Sequence, residues 1–364
     1  MKTNLRYKKI TVKVGSNVLT KSDGTLNDAN ISHLVDQMSK LRSEGVEIVL
    51  VSSGAVAAGR GEIGNGRKLD TVSARQLWSA VGQVKMINKW AEAFSKYGIV
   101  CAQVLTTKEN FSDRVHYLNM KNCISTLIEN KVIPIVNEND TISVTELMFT
   151  DNDELSGLIA SMEDSEALVI LSNIDGIFDG SPDLPGSKVI REITTKSKPL
   201  NEAISTSKSS FGRGGMLTKY HIARKVAKGG INVHIANGMK ENTLLKIMDT
   251  NQDVVHTTFL SAKKKSSNVK KWISYSESFA KGELIVNEGA SHALLSSQAT
   301  SLLPVGVIAI GGSFEKGDLV KIKDESGQVI GIGKAEYNSE KAEKYKGNKN
   351  RKPVIHYDYL YLME

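Results

Sequence analysis

Short apolar runs that end in glycine or small polar residues constrain this chain most. Lys9–Val14 (KITVKV) stops at Gly15, Glu47–Val51 (EIVLV) at Ser52-Ser53-Gly54, and Val132–Val136 at Asn137-Glu138-Asn139-Asp140. Ile99–Leu105, Leu168–Leu171 and Val233–Ala236 read as further strands. Between them, apolar residues recur at helical spacing: Ile31, Leu34, Val35, Met38 and Leu41 form one such set, and helices are expected over about 71–96 and 114–129. Strands that are apolar on both faces are buried on both faces, and helical crossovers between parallel strands are right-handed. Residues up to about 255 are therefore expected to form a three-layer α/β/α sandwich. In open sheets of this kind ligands bind beyond the carboxyl ends of the strands. The polar residues there become the candidates for chemistry.

After about 256 the pattern changes. Lys263–Ser267 is rich in Lys and Ser and reads as linker. Beyond 278, short strand runs (Glu283–Val286, Val305–Ile310, Leu319–Ile322, Val329–Ile332) alternate with Gly and Pro, and helical signal is confined to about 289–296 and 338–345. This is the pattern of a small mainly-β, barrel-like module. The expected division of the 364 residues is 1–258, a linker over 259–277, and 278–364.

Composition excludes several classes. No apolar run approaches the roughly 18 residues of a membrane span, and MKTNLRYKKI lacks the apolar core of a signal peptide. A cytoplasmic protein with no membrane partner is expected. The two cysteines, Cys101 and Cys123, form no CxxC pair, and the seven histidines show no metal-ligand spacing, so no residue is assigned to a metal. The net charge of +7 gathers partly at Lys263, Lys264, Lys265, Lys270 and Lys271, and again between Lys341 and Lys352. Such stretches suit a solvated surface or an anionic partner.

The strand ends carry the chemistry. Lys13 sits beside the Gly15 turn, where an ammonium reaches a phosphate and glycine admits backbone N–H groups; a surface lysine before a turn has the same pattern. Ser52-Ser53-Gly54-Ala55 leads from strand directly into helix, a place where backbone N–H groups meet anions. Asn137, Glu138, Asn139 and Asp140 follow a buried strand, and polar groups there are costly unless solvated or used. Asp151, Asn152 and Asp153 precede an amphipathic helix, for which Asp151 or Asn152 also serves as N-cap. Gly212-Arg213-Gly214-Gly215-Met216-Leu217-Thr218-Lys219 combines glycines, a hydroxyl and a lysine at a helix start, which suits a polyphosphate. The spacing is neither a P-loop nor a dinucleotide fingerprint.

In this order, VKVGSNVLT (12–20), VSSGAVAAGR (51–60), VIPIVNENDTI (132–142), DNDELSGLIA (151–160) and GRGGMLTK (212–219) resemble the amino acid kinase family, and within it the members that phosphorylate free glutamate. The resemblance implies the kinase fold of that family, ATP and Mg²⁺ as cofactors, L-glutamate as acceptor, and γ-glutamyl phosphate as the first product of proline synthesis. It also implies proline as inhibitor and a homo-oligomer, dimer or tetramer. Carried over, Lys13 contacts the transferred phosphoryl group, and Lys13, Lys219 and Asp153 form the catalytic set. Ser53, Gly54, Asn137, Asp140 and Asn152 bind glutamate. Arg213, Gly214, Gly215, Met216, Leu217, Thr218 and Lys219 lie on the nucleotide, together with Ser172 and Asn173. At these last two positions the family often has Thr-Asp, so a carboxylate is missing.

Residues 282–324 resemble a PUA domain, a module that binds RNA elsewhere; a regulatory or assembly role is the expectation here. Two other readings remain. One is a kinase of the same fold acting on acetylglutamate or aspartate. The other is an RNA-binding protein, against which stands the lack of an RNP motif or an aromatic stripe; Tyr357, Tyr359 and Tyr361 alternate as in one strand.

Overall fold

The computed structural model describes residues 4–64, 69–143, 149, 151–182, 185–195, 197, 200, 215–262, 267–296 and 300–363. It divides into two units, Met1–Lys265 and Ser266–Glu364.

The first unit is built on β1 (Lys9–Val14), α1 (Ser16–Leu19), α2 (Asp28–Ser43), β2 (Glu47–Ser52), α3 (Ala55–Ile63), α4 (Thr71–Ser95), β3 (Cys101–Thr106), α5 (Arg114–Glu129), β4 (Ile133–Glu138), α6 (Asn152–Met162), β5 (Ala167–Ser172), β6 (Glu192–Ile193), α7 (Met216–Lys228), β7 (Asn232–Asn237), α8 (Thr243–Met248) and β8 (Thr257–Phe259). The sheet order is β3-β4-β2-β1-β5-β7-β8-β6. The first six strands in that order are parallel, and β8 runs antiparallel to β7.

Alternation along β1 explains both the core and the site. Ile10, Val12 and Val14 point into a core shared with Leu34 and Met38 of α2 and with Met86, Trp90 and Phe94 of α4. The intervening Thr11 and Lys13 point to the opposite face, which α6 covers. Trp90 and Phe94 are fully buried; truncating either to alanine is expected to cost about 3–5 kcal/mol. α3 and α4 touch backbone to backbone, since a Cβ on Gly59 would lie 1.8 Å from Trp78 O and one on Gly82 1.7 Å from Ala55 O. That contact fixes α4 relative to the β2 turn. Side chains cap the helix starts: Asp70 accepts from Val72 and Ser73 N–H, and Asp151 from Asp153 and Glu154 N–H.

The second unit contains α9 (Asn268–Tyr275), β9 (Gly282–Val286), α10 (Glu288–Leu295), β10 (Val307–Gly312), β11 (Leu319–Lys323), β12 (Val329–Lys334), α11 (Ser339–Tyr345) and β13 (Leu360–Leu362). Its sheet order is β10-β9-β11-β12-β13, with only the β9–β11 pair parallel. Leu284, Val286, Val320, Ile322 and Ile355 lie in its core.

Three details differ from the sequence expectation. Part of the stretch read as linker is the helix α9, which buries Trp272 and Ile273. The last two strands of the sheet, edge strand β6 and its neighbour β8, two and three residues long, are too short to leave a periodic signal. Tyr357, Tyr359 and Tyr361 do not share one strand: Tyr357–Tyr359 is a 3-10 turn and only Leu360–Leu362 pairs.

Candidate active site

Three of the charged candidates meet at one carboxylate. Lys13 Nζ lies 2.6 Å from Asp153 Oδ1, and Lys219 Nζ lies 2.9 Å from Asp153 Oδ2. Asp153 has no solvent exposure. It stands in the first turn of α6, where the helix dipole favours an anion. Burial alone would raise the Asp153 carboxyl, but the two ammoniums outweigh it and hold the group well below the usual carboxylate range. Burial and the neighbouring Asp153 charge push Asp151 the other way, upward. Its Oδ1 caps α6, while Oδ2 is shut off from solvent and has no hydrogen-bond partner among the described residues. Burial pulls the Lys219 ammonium down, yet Asp153 and Asp151 more than offset this and it stands above its ordinary value.

Next to this triad, Asn152 ties the ends of two strands, β2 and β4, together. Its amide nitrogen lies 3.0 Å from Ser52 O, 2.9 Å from Ser53 Oγ and 2.9 Å from Asn137 Oδ1. Asn152 Oδ1 has no hydrogen-bond partner among the described residues. Gly54 caps α3 with φ at +97°, a left-handed conformation that explains why glycine stands at the turn. The polar groups of β2, β4 and α6 thus line one shared edge.

Asp140 belongs to a second charged group. Arg75 of α4 pairs with Asp140 and lies 3.4 Å from Glu138 Oε2. Glu138 Oε1 accepts from Phe149 N–H at 3.0 Å, which ties the end of β4 to the chain just before α6. Burial, and then the Asp140 charge, push the Glu138 carboxyl up to about 7. Burial also raises Asp140, against the pull of Arg75.

On the other side of β1, α7 begins directly after Gly215, with Met216, Leu217 and Thr218 half-buried in its first turn before Lys219. Arg213 and Gly214 lie outside the described residues. Ser172 ends β5 and Asn173 follows it; Ser172 O accepts from Gly238 N–H at 2.8 Å. Asp175, two residues further, is held by Lys240 at 2.7 Å and by Asn237 Nδ2 at 3.0 Å. A carboxylate is therefore present at this strand end, displaced from the position where the Thr-Asp pair would put it.

Buried Lys13 at the end of β1 and half-buried Lys219 in the first turn of α7 share one carboxylate beside a row of amide and hydroxyl groups, an arrangement whose chemistry suits phosphate oxygens and a small polar acid. The sequence profile of the amino acid kinase family matches residues 8–237, and that of the PUA domain matches 282–357. The chain is 58% identical to a glutamate 5-kinase from Bacteroides thetaiotaomicron, over 98% of this chain and 99% of that one. It is 49% identical to a glutamate 5-kinase from Chlorobaculum tepidum, over 98% of each. The chain belongs to the amino acid kinase family and, within it, to the branch of these glutamate 5-kinases. Two solved structures share its fold. UMP kinase from Ureaplasma parvum matches with TM-score 0.50 and 16% identity, covering 71% of this chain and 100% of that one. Carbamate kinase from Giardia lamblia bound to AMP-PNP matches with TM-score 0.50 and 18% identity, covering 71% and 99%.

The structure brings Lys13, Asp153 and Lys219 together, and Ser53, Asn137 and Asn152 together. It joins Asp140 to Arg75, which no motif marks. Asp151 and Glu138 stand inside the motifs, and a carboxylate directly beside a site residue was the signal available for both.

Proposed function

We propose that this chain transfers the γ-phosphoryl group of ATP to the γ-carboxylate of L-glutamate, giving L-glutamyl 5-phosphate and ADP. The observation that carries the reading is the Asp153 carboxylate bridging the Lys13 and Lys219 ammoniums next to the Asn152 amide row. The acceptor carboxylate is ionised at neutral pH, so the reaction needs no general base. One of its oxygens attacks the γ-phosphorus, the bond from that phosphorus to the bridging oxygen breaks, and ADP leaves with the bonding electrons. Phosphoryl transfer of this kind depends on positioning and on neutralising spread negative charge. Lys13 and Lys219 supply the positive charge; Asp153 holds both ammoniums in place and takes no proton. Asp151, whose Oδ2 is shielded and without a hydrogen-bond partner among the described residues, would hold a Mg²⁺ ion brought in with ATP, which would supply further neutralisation of phosphate charge.

In this reading Ser53, Gly54, Asn137, Asn152 and Asp140 hold the amino acid, Asp140 taking its ammonium. The start of α7 and the ends of β5 and β7 hold the nucleotide. Catalysis belongs to residues 1–258, in the cytoplasm, as the first step of proline synthesis with proline as inhibitor and in a dimer or tetramer. Residues 278–364 serve regulation or assembly.

The test is ADP release with L-glutamate, L-aspartate and N-acetyl-L-glutamate offered separately. Turnover with L-glutamate alone is expected. A preference for either other acid would overturn the substrate assignment.

A further inference from the structure

One face of α4 is given over to the end of β4. Arg75 pairs with Asp140 and reaches Glu138, and Ser79 Oγ lies 3.5 Å from Asp140 Oδ2. Gln76 donates to Thr141 O at 2.8 Å, and Gln83 donates to Glu138 O at 3.3 Å. Residues 75, 79 and 83 are one helical turn apart, so a single stripe of α4 grips residues 138–141. The stripe is not adjustable, because Gly59 and Gly82 lock α4 against α3 at van der Waals distance from backbone. Arg75 is also well placed energetically: its side chain is 16% exposed, against 5% for Glu138 and 8% for Asp140. Two carboxylates this buried repel one another and favour their neutral forms unless a cation stands between them.

We propose that Arg75 is a positioning residue for the amino-acid end of the substrate. It orients the Asp140 carboxylate and keeps it ionised, so that Asp140 can take the α-ammonium of an unblocked amino acid. The charges fit that task. Glu138 and Asp140, when both ionised, exceed the single guanidinium by one negative charge, the charge that one ammonium neutralises. One guanidinium nitrogen, Nη2, meets both Asp140 Oδ1 and Glu138 Oε2, so a single donor group bridges the two carboxylates. Arg75 acts through Asp140 and touches no reacting atom, so its loss shows in substrate binding more than in turnover.

This inference rests on the proposed use of glutamate as acceptor, and wild-type turnover of L-glutamate is the control that separates the two. The experiment measures KM for L-glutamate, KM for ATP and kcat in the full-length wild type, Arg75→Met and Arg75→Lys. Arg75→Met is expected to raise the glutamate KM at least about tenfold, the scale of one lost charge-assisted hydrogen bond, with kcat falling by less and the ATP KM staying within about twofold. Arg75→Lys restores the cation without the planar fork and is expected to recover part of the loss. An unchanged glutamate KM in Arg75→Met, with active wild type, would overturn the inference alone. So would equal losses in both KM values with no rescue by lysine, since that pattern marks a structural role. Wild type without glutamate turnover would overturn the proposed function and this inference with it.

Discussion

At one end of the site two ammoniums share one carboxylate; at the other, two carboxylates share one guanidinium. Lys13 and Lys219 flank Asp153, which is held well below the usual carboxylate range. Arg75 stands by Glu138 and Asp140, both raised. The first group carries surplus positive charge and suits phosphate and the γ-carboxylate. The second carries surplus negative charge when Glu138 and Asp140 are both ionised, and then suits an ammonium. Glutamate, the proposed acceptor, carries an ammonium at one end and the γ-carboxylate at the other. The difference also shows how one element, the buried carboxylate, serves opposite purposes according to the cations placed around it.

The comparison can be broken most sharply at Asp153. Asp153→Asn leaves two buried ammoniums without their counter-charge, and denaturant unfolding should show a loss of about 3–5 kcal/mol. A loss below about 1 kcal/mol would mean that water or another group compensates the lysines. Lys219→Met should lower kcat by about 10²–10³-fold, the usual size of a lost transition-state charge contact. Steady-state kinetics would contradict this if only the glutamate KM moved. Asp140→Asn should do the reverse, raising the glutamate KM about 10–100-fold, as for a lost hydrogen bond to a charged group of about 1.5–3 kcal/mol. If kcat fell instead, the two ends would not be functionally distinct.

The smallest effect concerns Glu138. Its folded carboxyl titrates near 7, above the ordinary 4.5. The folded state therefore holds a proton that the unfolded state has lost, and stability declines as pH rises through that window. Glu138→Gln keeps the acceptor for Phe149 N–H and cannot titrate. The wild-type Tm should thus fall relative to Glu138→Gln between about pH 5 and 7, and run parallel to it at higher pH. Parallel curves throughout would place the Glu138 carboxyl at its ordinary value.

Much of this was legible in the sequence because buried parallel strands are unambiguous and their ends are short. KITVKV, EIVLV and IPIV announce strands, and a polar residue directly after such a run has few places to go. Asn137 was visible on that ground, Lys13 by its place beside the Gly15 turn, and Asn152 as part of the polar stretch before an amphipathic helix. Arg75 was not, since an arginine in an amphipathic helix looks like any solvated residue until the helix is packed against a strand end. Asp175 stands in plain view two residues after Asn173, but only the fold shows its carboxylate anchored to Lys240 and Asn237 at the same strand end. The helix α9 had a signal, Val269, Trp272 and Ile273 at helical spacing, overshadowed by the adjacent Lys/Ser run.

The central claim is the chemistry of the first cluster, and acyl phosphate trapping tests it most directly. Wild type incubated with ATP, Mg²⁺, L-glutamate and hydroxylamine should yield γ-glutamyl hydroxamate in step with ADP release, and Lys219→Met should yield almost none. ADP release without hydroxamate, or equal hydroxamate from Lys219→Met, would contradict the account.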